Sequence, residues 1–576
     1  MDRPPQPVYQ DSAQLSVYAA GLEAYRRPIE AMLSRLFDEL LVERLWARDS
    51  SLWHPSAETQ ARIRERLGWL DLPASLPPLL DDWLRQARAQ GMTDLLYAAT
   101  GDAGGAARLW RDLAGAARHG LNVALLDTIE PGTVRATLDA VAWERTALAL
   151  AVDADLTPDQ DALARLVVAA HALAALHADL PLLVLAPPDS PLVQWIQSQT
   201  HAALLPLPSN PGARFGTLSL LGLVPAALTG WDVARLGAAA FEPRAACRRS
   251  DDPARNPGVW LGTTLAVLAQ HDHDRLTLLA PTALLPLARW IAGFVSGSLS
   301  KHGRGFVAGV EAQRTKNKEQ PAHQARTENV ELDSRPPTPD ARSLIVELRL
   351  ARMSDSDLDQ RCAALREAGA PVITIELADV DAAAALIVWW QVAVATTAVV
   401  IGLNPFDEPD TAARHAYLWR RLRQPEARVQ PVSIEAETLP SALERIAPTI
   451  RSAGCLLIAA YLPPTPAVAE RLHALRALLH RRFGAATVLI DPLRDLGFAT
   501  QVLHAGRPCA ALLVTADSST DAAVPGVGWT LDDLRRMRIA ADAEAWTRMQ
   551  RPFVHVDLGD DPERGLRRCI ERLIET

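Results

Sequence analysis

The sequence predicts an α/β protein in which a helical N-terminal segment leads into two tandem parallel-sheet domains, followed by a C-terminal α/β cap. Three observations predict it. Short apolar, β-prone runs alternate with alanine-rich amphipathic segments, the pattern of βαβ units around a sheet buried on both faces. The 576 residues exceed what one core organises, so about two to four domains are expected. Hydrophobic residues make up 49% of the chain, enough to fill several cores.

Residues 1–88 read as the helical segment, because Leu33, Leu36, Phe37, Leu40, Leu41 and Leu45 recur at helical spacing. Ser56, followed by Ala57 and Glu58, suits a second helix start. The first sheet domain, 89–250, offers strands at 94–99, 122–127, 147–152, 182–186 and 203–207. The second, 251–430, offers strands at 276–280, 305–309, 344–348 and 372–377. Within it, 311–342 is polar, contains lysine and proline, and lacks large apolar residues, so it reads as a flexible insertion. The C-terminal region, 431–576, offers strands at 455–461, 487–491, 510–515 and 554–558 and a helix at 467–482.

Composition narrows the function. With 22% charged residues and a net charge of -9, the chain has no strong positive field for displacing counterions, which argues against a nucleic-acid partner. A small molecule or another protein fits better. Cys247, Cys362, Cys455, Cys509 and Cys569 are odd in number and far apart, which suggests neither a disulfide framework nor a zinc site. His271-Asp-His273-Asp resembles a metal cluster but precedes a strand, so it reads as a solvated loop; no metal and no cofactor are expected. The N-terminus lacks the apolar core of a secretory signal. The most apolar stretch, 382–403, contains Gln391 and reads as a buried helix, so a cytoplasmic protein without membrane contact is expected. Trp46, Trp53 and Trp69 read as packing anchors, and Trp389-Trp390 as core.

One stretch carries more chemistry than the rest. Asn210-Pro-Gly-Ala-Arg-Phe-Gly216 runs into an apolar helix ending near Leu228, where flexible glycines and backbone amides beside an arginine suit the clamping of an anion. It resembles the Gly-Gly-Arg-(Phe/Tyr)-Ser signature of phosphoglucose isomerases, with Arg214 and Phe215 in place. Glu43 to Trp53, Arg66-Leu-Gly-Trp-Leu70, Asn256-Pro-Gly-Val-Trp-Leu-Gly262, Asp274-Arg-Leu-Thr-Leu278, Gly402-Leu-Asn-Pro-Phe-Asp-Glu-Pro-Asp410 and Val524-Pro-Gly526 resemble further landmarks in the same order. They are similar to the isomerase half of fused transaldolase and phosphoglucose isomerase proteins. The resemblance implies two sugar-isomerase domains, each a flavodoxin-like parallel sheet flanked by helices, with the active site at their junction. It also implies a sugar phosphate as ligand, no transaldolase domain ahead of residue 1, and a homodimer or a separate transaldolase as protein partner.

The same resemblance implies that the chemical positions have changed. The family's proton-moving glutamate falls at Gly297, within Gly297-Ser-Leu-Ser-Lys-His-Gly-Arg-Gly305, and the chain then has no carboxylate to carry a proton between C1 and C2. Lys301 and His302 are the nearby substitutes. The Ser-Lys-Ser-Gly-Gly-Thr phosphate loop appears as Val152-Asp-Ala-Asp-Leu-Thr157, which keeps Thr157 and sets aspartates where a phosphate would sit. Thr100-Gly-Asp-Ala-Gly-Gly105 keeps Gly104 and Gly105 of an earlier phosphate turn. The family lysine becomes Arg414, and its histidines become Phe498 and His504. Substrate binding would then rest on Arg214, Thr157, Gly104 and Gly105. Three functions follow: a weak or silent isomerase relative acting in binding, regulation or assembly; an active glucose-6-phosphate isomerase of glycolysis and gluconeogenesis using Lys301, His302 or His504; or a phosphosugar sensor.

Overall fold

The computed structural model describes residues 9–11, 14–73, 75–115, 120–153, 156–176, 179–207, 213–311, 342–407, 409–423, 432–494, 509–518 and 520–576. Three sheets organise them. The first is wholly parallel, in the order Asn122–Leu126, Asp94–Ala98, Thr146–Ala151, Leu182–Ala186 and Ala203–Pro206. Every residue of Thr146–Ala151 is buried, as a central strand covered on both faces requires. The second sheet has a parallel part in the order Val372–Leu377, Ser343–Leu350, Arg275–Leu279 and Val307–Val310. The third is parallel again, in the order Ala486–Ile490, Cys455–Tyr461, Ala510–Thr515 and Phe553–Asp557.

The expected helical N-terminal segment needs one correction. Leu15–Ala20 is a strand lying antiparallel on Val372–Leu377, and Tyr9–Asp11 pairs with it, so the chain start completes the second sheet. Leu15 and Val17 are buried while Ser16 and Tyr18 are half-buried, the alternation of an antiparallel strand with one face on the core. Helices follow at Arg26–Asp38, Leu41–Trp46, Ala57–Arg64 and Pro78–Ala89. The insertion assigned to 311–342 lies outside the described residues from 312 to 341, and Glu311 pairs with Arg361.

Two helical stretches, Thr282–Leu299 and Val380–Ile401, are long and apolar enough to cross a membrane by length and composition, although none was expected from the sequence. The second is 83% buried and forms the core of the second domain. Trp389 and Trp390 are buried in it, and Thr397 Oγ1 donates to Gly262 O at 2.9 Å from the neighbouring helix Pro257–Gln270. All five cysteines are buried, and none of them forms a disulfide. His271 and His273 instead meet the Tyr25 ring edge-on at 5.4 Å, and the Tyr25 hydroxyl lies 2.7 Å from His273 Nε2.

The C-terminal region docks on both sheet domains. Arg275 donates from the second sheet to the carbonyls of Ala453 and Gly454. Arg494 pairs with Asp127 at 3.0 Å, and the Ile129 amide donates to Leu493 O at 3.2 Å. Deeper in this junction, Asp159 pairs with Arg538, Arg414 with Asp542 at 2.5 Å, and the Tyr461 hydroxyl donates to Asp542.

His171, in helix Pro158–Ala174, is fully buried and lies 5.9 Å from the Trp143 ring. Burial holds its pKa below the ordinary histidine value, so the folded protein keeps it neutral while the unfolded chain takes up a proton near pH 6.5. The unfolded state therefore binds more protons as the pH drops from about 6.5 toward the lowered folded pKa. Stability is expected to decline across that window, and His171→Phe is expected to flatten the decline in denaturation midpoints measured between pH 7 and 5. An unchanged slope in the variant would remove His171 as its source.

Candidate functional site

A cleft of about 290 Å³ opens where three regions converge: helix Gly101–Ala114 of the first domain, helix Leu285–Leu299 with strand Val307–Val310 of the second, and helix Pro466–Phe483 with strand Ala486–Ile490 of the C-terminal region. An aromatic cluster shares Phe294 with its lining. Phe215 is buried against Trp69, Phe294 and Phe406 at ring distances of 5.1, 4.7 and 4.8 Å, and its carbonyl accepts from Gln391 Nε2 at 2.6 Å. With Phe215 fixed, Arg214 must turn toward helix Leu285–Leu299.

Arg214 is 8% exposed, and its Nη1 donates to Gly297 O at 2.5 Å. Gly297 lies in the last turn of its helix, where backbone carbonyls lack intrahelical partners and a cation is favourable. The guanidinium also fills the space a side chain would need. A Cβ at Gly297 would lie 2.9 Å from Arg214 Nε and 3.1 Å from its Cζ. Burial pulls the Arg214 pKa below the ordinary arginine value, with Asp102 opposing that shift and Arg66 adding to it. Asp102 Oδ1 is 3.9 Å from Arg214 Nε, and both residues line the cleft.

The structure separates the remaining sequence candidates. Gly105 lines the cleft with open space where a Cβ would be, whereas a Cβ at Gly104 would lie 2.5 Å from Ala99 O, so Gly104 serves close packing of helix on strand. Thr157 caps helix Pro158–Ala174 reciprocally with Gln160, and its hydroxyl accepts from the Gln160 amide at 3.2 Å. Lys301 is buried away from the cleft lining, with Nζ 2.7 Å from Asn404 O and 2.8 Å from Asp407 Oδ1. It anchors the loop that the resemblance had marked. His302 is exposed in the adjoining turn at φ 52°. Arg414 is buried in the Asp542 pair. Phe498 and His504 lie outside the described residues.

Sequence reasoning missed the opposite wall. Arg289 and Trp290 come from helix Leu285–Leu299, and His473 and Arg476 from helix Pro466–Phe483. The stacked Trp290 and Phe294 rings, 4.9 Å apart with a 9° interplanar angle, carry the apolar part of that wall. The available signal was an i, i+3 pairing of His473 and Arg476, which places both on one helix face, but any solvated helix presents such pairs.

No protein-family model matches the chain. A glucose-6-phosphate isomerase of Rubrobacter xylanophilus is 25% identical over 333 residues, covering 54% of this chain and 76% of that protein. Among solved structures, a hypothetical protein of Thermus thermophilus superposes with a TM-score of 0.54 at 18% identity, covering 70% of this chain and 99% of that one. A glucose-6-phosphate isomerase of Chlamydia trachomatis superposes with a TM-score of 0.52 at 14% identity, covering 72% and 90%. The structural likenesses establish the sugar-isomerase fold. The chain resembles the glucose-6-phosphate isomerase family in sequence and shares its fold.

Proposed function

We propose that this chain binds a sugar phosphate in the Arg214 cleft, that its aldose–ketose isomerase activity is weak or lost, and that binding serves regulation or assembly. The observation that supports this reading is the position of Arg214. Its guanidinium takes up the room in which a carboxylate from residue 297 would have to stand, and it is held there by the Gly297 carbonyl. A missing general base costs about 10²–10⁴-fold in rate. A coupled assay with glucose 6-phosphate and fructose 6-phosphate is accordingly expected to give turnover at least about 10²-fold below that of an active isomerase assayed alongside. In parallel, those sugars are expected to raise the melting temperature in a concentration-dependent way. Turnover equal to the active isomerase would reject the loss of activity, and the absence of any thermal shift would reject the binding.

A second reading, an active isomerase, is favoured by Asp102. This carboxylate lies in the cleft beside Arg214 with its side chain 21% exposed, within reach of a ligand and of an electrostatic partner. If Asp102 moves the proton, Asp102→Asn removes about 10²–10⁴-fold of the measured turnover without abolishing the thermal shift.

A further inference from the structure

We infer that the phosphate of the bound ligand is held by Arg289, His473 and Arg476 on the wall shared by the second domain and the C-terminal region, and that the first-domain loops no longer hold it. This rests on the reading of the cleft as a sugar-phosphate site and adds the ligand's orientation to it.

The first-domain wall is unsuited to an anion. Asp102 stands in the first turn of helix Gly101–Ala114 and takes up the positive end of the helix dipole itself. Asp153 lies behind it, with Oδ2 3.9 Å from the position of a Gly101 Cβ and 2.7 Å from Gln160 Nε2. The Thr157 hydroxyl is engaged in the helix cap. Arg108 lines the cleft but its guanidinium is drawn to Asp127 at 2.6 Å, a carboxylate it shares with Arg494.

The opposite wall has the reverse balance. Arg476 donates through Nη1 to the Val310 carbonyl at 3.2 Å, an anchor that fixes its guanidinium without cancelling its charge. Among the described residues no carboxylate lies within ion-pair distance of Arg289 or Arg476, although nearly all other arginines near the cleft have one. His473 lines the same cleft, on the same helix face as Arg476, and feels the charges of both arginines. Burial first, and then the charges of Arg476 and Arg289, hold its imidazole below the ordinary histidine pKa, as expected for a site with an excess of positive charge. A phosphate would supply the missing charge and accept from both guanidinium groups. Beside this pole the half-buried indole of Trp290 is tethered by its Nε1 to Thr217 Oγ1 at 3.0 Å, and it offers a flat apolar surface for a sugar ring. A ligand phosphorylated at one end would then place its other end toward Arg214 and Asp102.

Calorimetric titration of the full chain with fructose 6-phosphate, inorganic phosphate and unphosphorylated fructose tests this. Arg289→Gln and Arg476→Lys are each expected to weaken fructose 6-phosphate about tenfold or more, as loss of a charge-assisted hydrogen bond does, with inorganic phosphate weakened in parallel. Arg85→Gln, on an exposed helix outside the cleft, controls for net charge and is expected to change affinity less than twofold. Arg289 is exposed and its replacement leaves no buried group unpaired, so a fold defect in the Arg476 variant would still leave one clean test. Wild-type binding that both variants retain would overturn this orientation while leaving the cleft a sugar-phosphate site. No binding of either phosphate compound by the wild type would overturn both.

Discussion

Asp542→Ala is expected to destabilise the protein by about 3–5 kcal/mol, the cost of leaving buried cations without their counter-charge. Arg414, Asp542, Arg538 and Asp159 all lie in the interior, and Tyr461 is 1% exposed beside them. The group balances two guanidinium ions against two carboxylates. It also joins four elements: helix Pro158–Ala174, helix Pro409–Leu422, strand Cys455–Tyr461 and helix Leu531–Arg548. Burial pushes the Arg414 pKa down, with the Arg538 charge acting in the same direction and Asp542 opposing. Removing Asp542 leaves Arg414 facing Arg538 and takes away the acceptor of the Tyr461 hydroxyl. Replacing both members, as in Asp542→Ala with Arg414→Met, is expected to recover much of that loss, because neither member is then left as an uncompensated charge. Chemical denaturation of the two single variants and the double variant measures this. Additive losses in the double variant would show that the pair is not energetically linked.

The legible parts of this chain were those in which local pattern and buried environment agree. The wholly apolar run Leu182–Ala186 and the mostly apolar Val372–Leu377, interrupted at Thr374 and Glu376, lie between polar turns, and their predicted and observed limits coincide because a largely buried strand leaves little room for another pattern. Leu15–Ala20 was missed because its alternation is short and its pairing partner, Val372–Leu377, lies more than 350 residues away in the sequence. No local signal reports such a pairing. At the site, Arg214, Gly297 and Gly105 were legible through motif order, but the contact that gives Gly297 its meaning is set by the Phe215 aromatic cluster, which draws rings from four separate segments. Arg289, His473 and Arg476 were illegible for a related reason. Two helices almost 200 residues apart supply them, one showing a lone arginine in an apolar run and the other an ordinary solvated face.

Gly297→Glu is expected to leave isomerase turnover within about tenfold of the wild type, whereas a chain lacking only its base would gain about 10²–10⁴-fold. The reason is local. A side chain at 297 must push the Arg214 guanidinium aside, since even a Cβ would lie 2.9 Å from Nε. Arg214 cannot withdraw freely, because Phe215 is locked among three rings and its carbonyl is held by Gln391. The new carboxylate and the guanidinium would then form a buried pair in space that now holds one group, at an overpacking cost of about 1–3 kcal/mol. A glutamate paired in this way is held ionised but turned onto Arg214, with its oxygens engaged in that contact in place of a substrate proton. Gly297→Ala isolates the steric part: it is expected to displace Arg214 without adding a base, and to lower the melting temperature. The coupled assay with glucose 6-phosphate decides the point. A gain of about 10²-fold or more in the glutamate variant alone would mean that the remaining machinery is intact, and that the residue at 297 was the only thing separating this chain from an active isomerase.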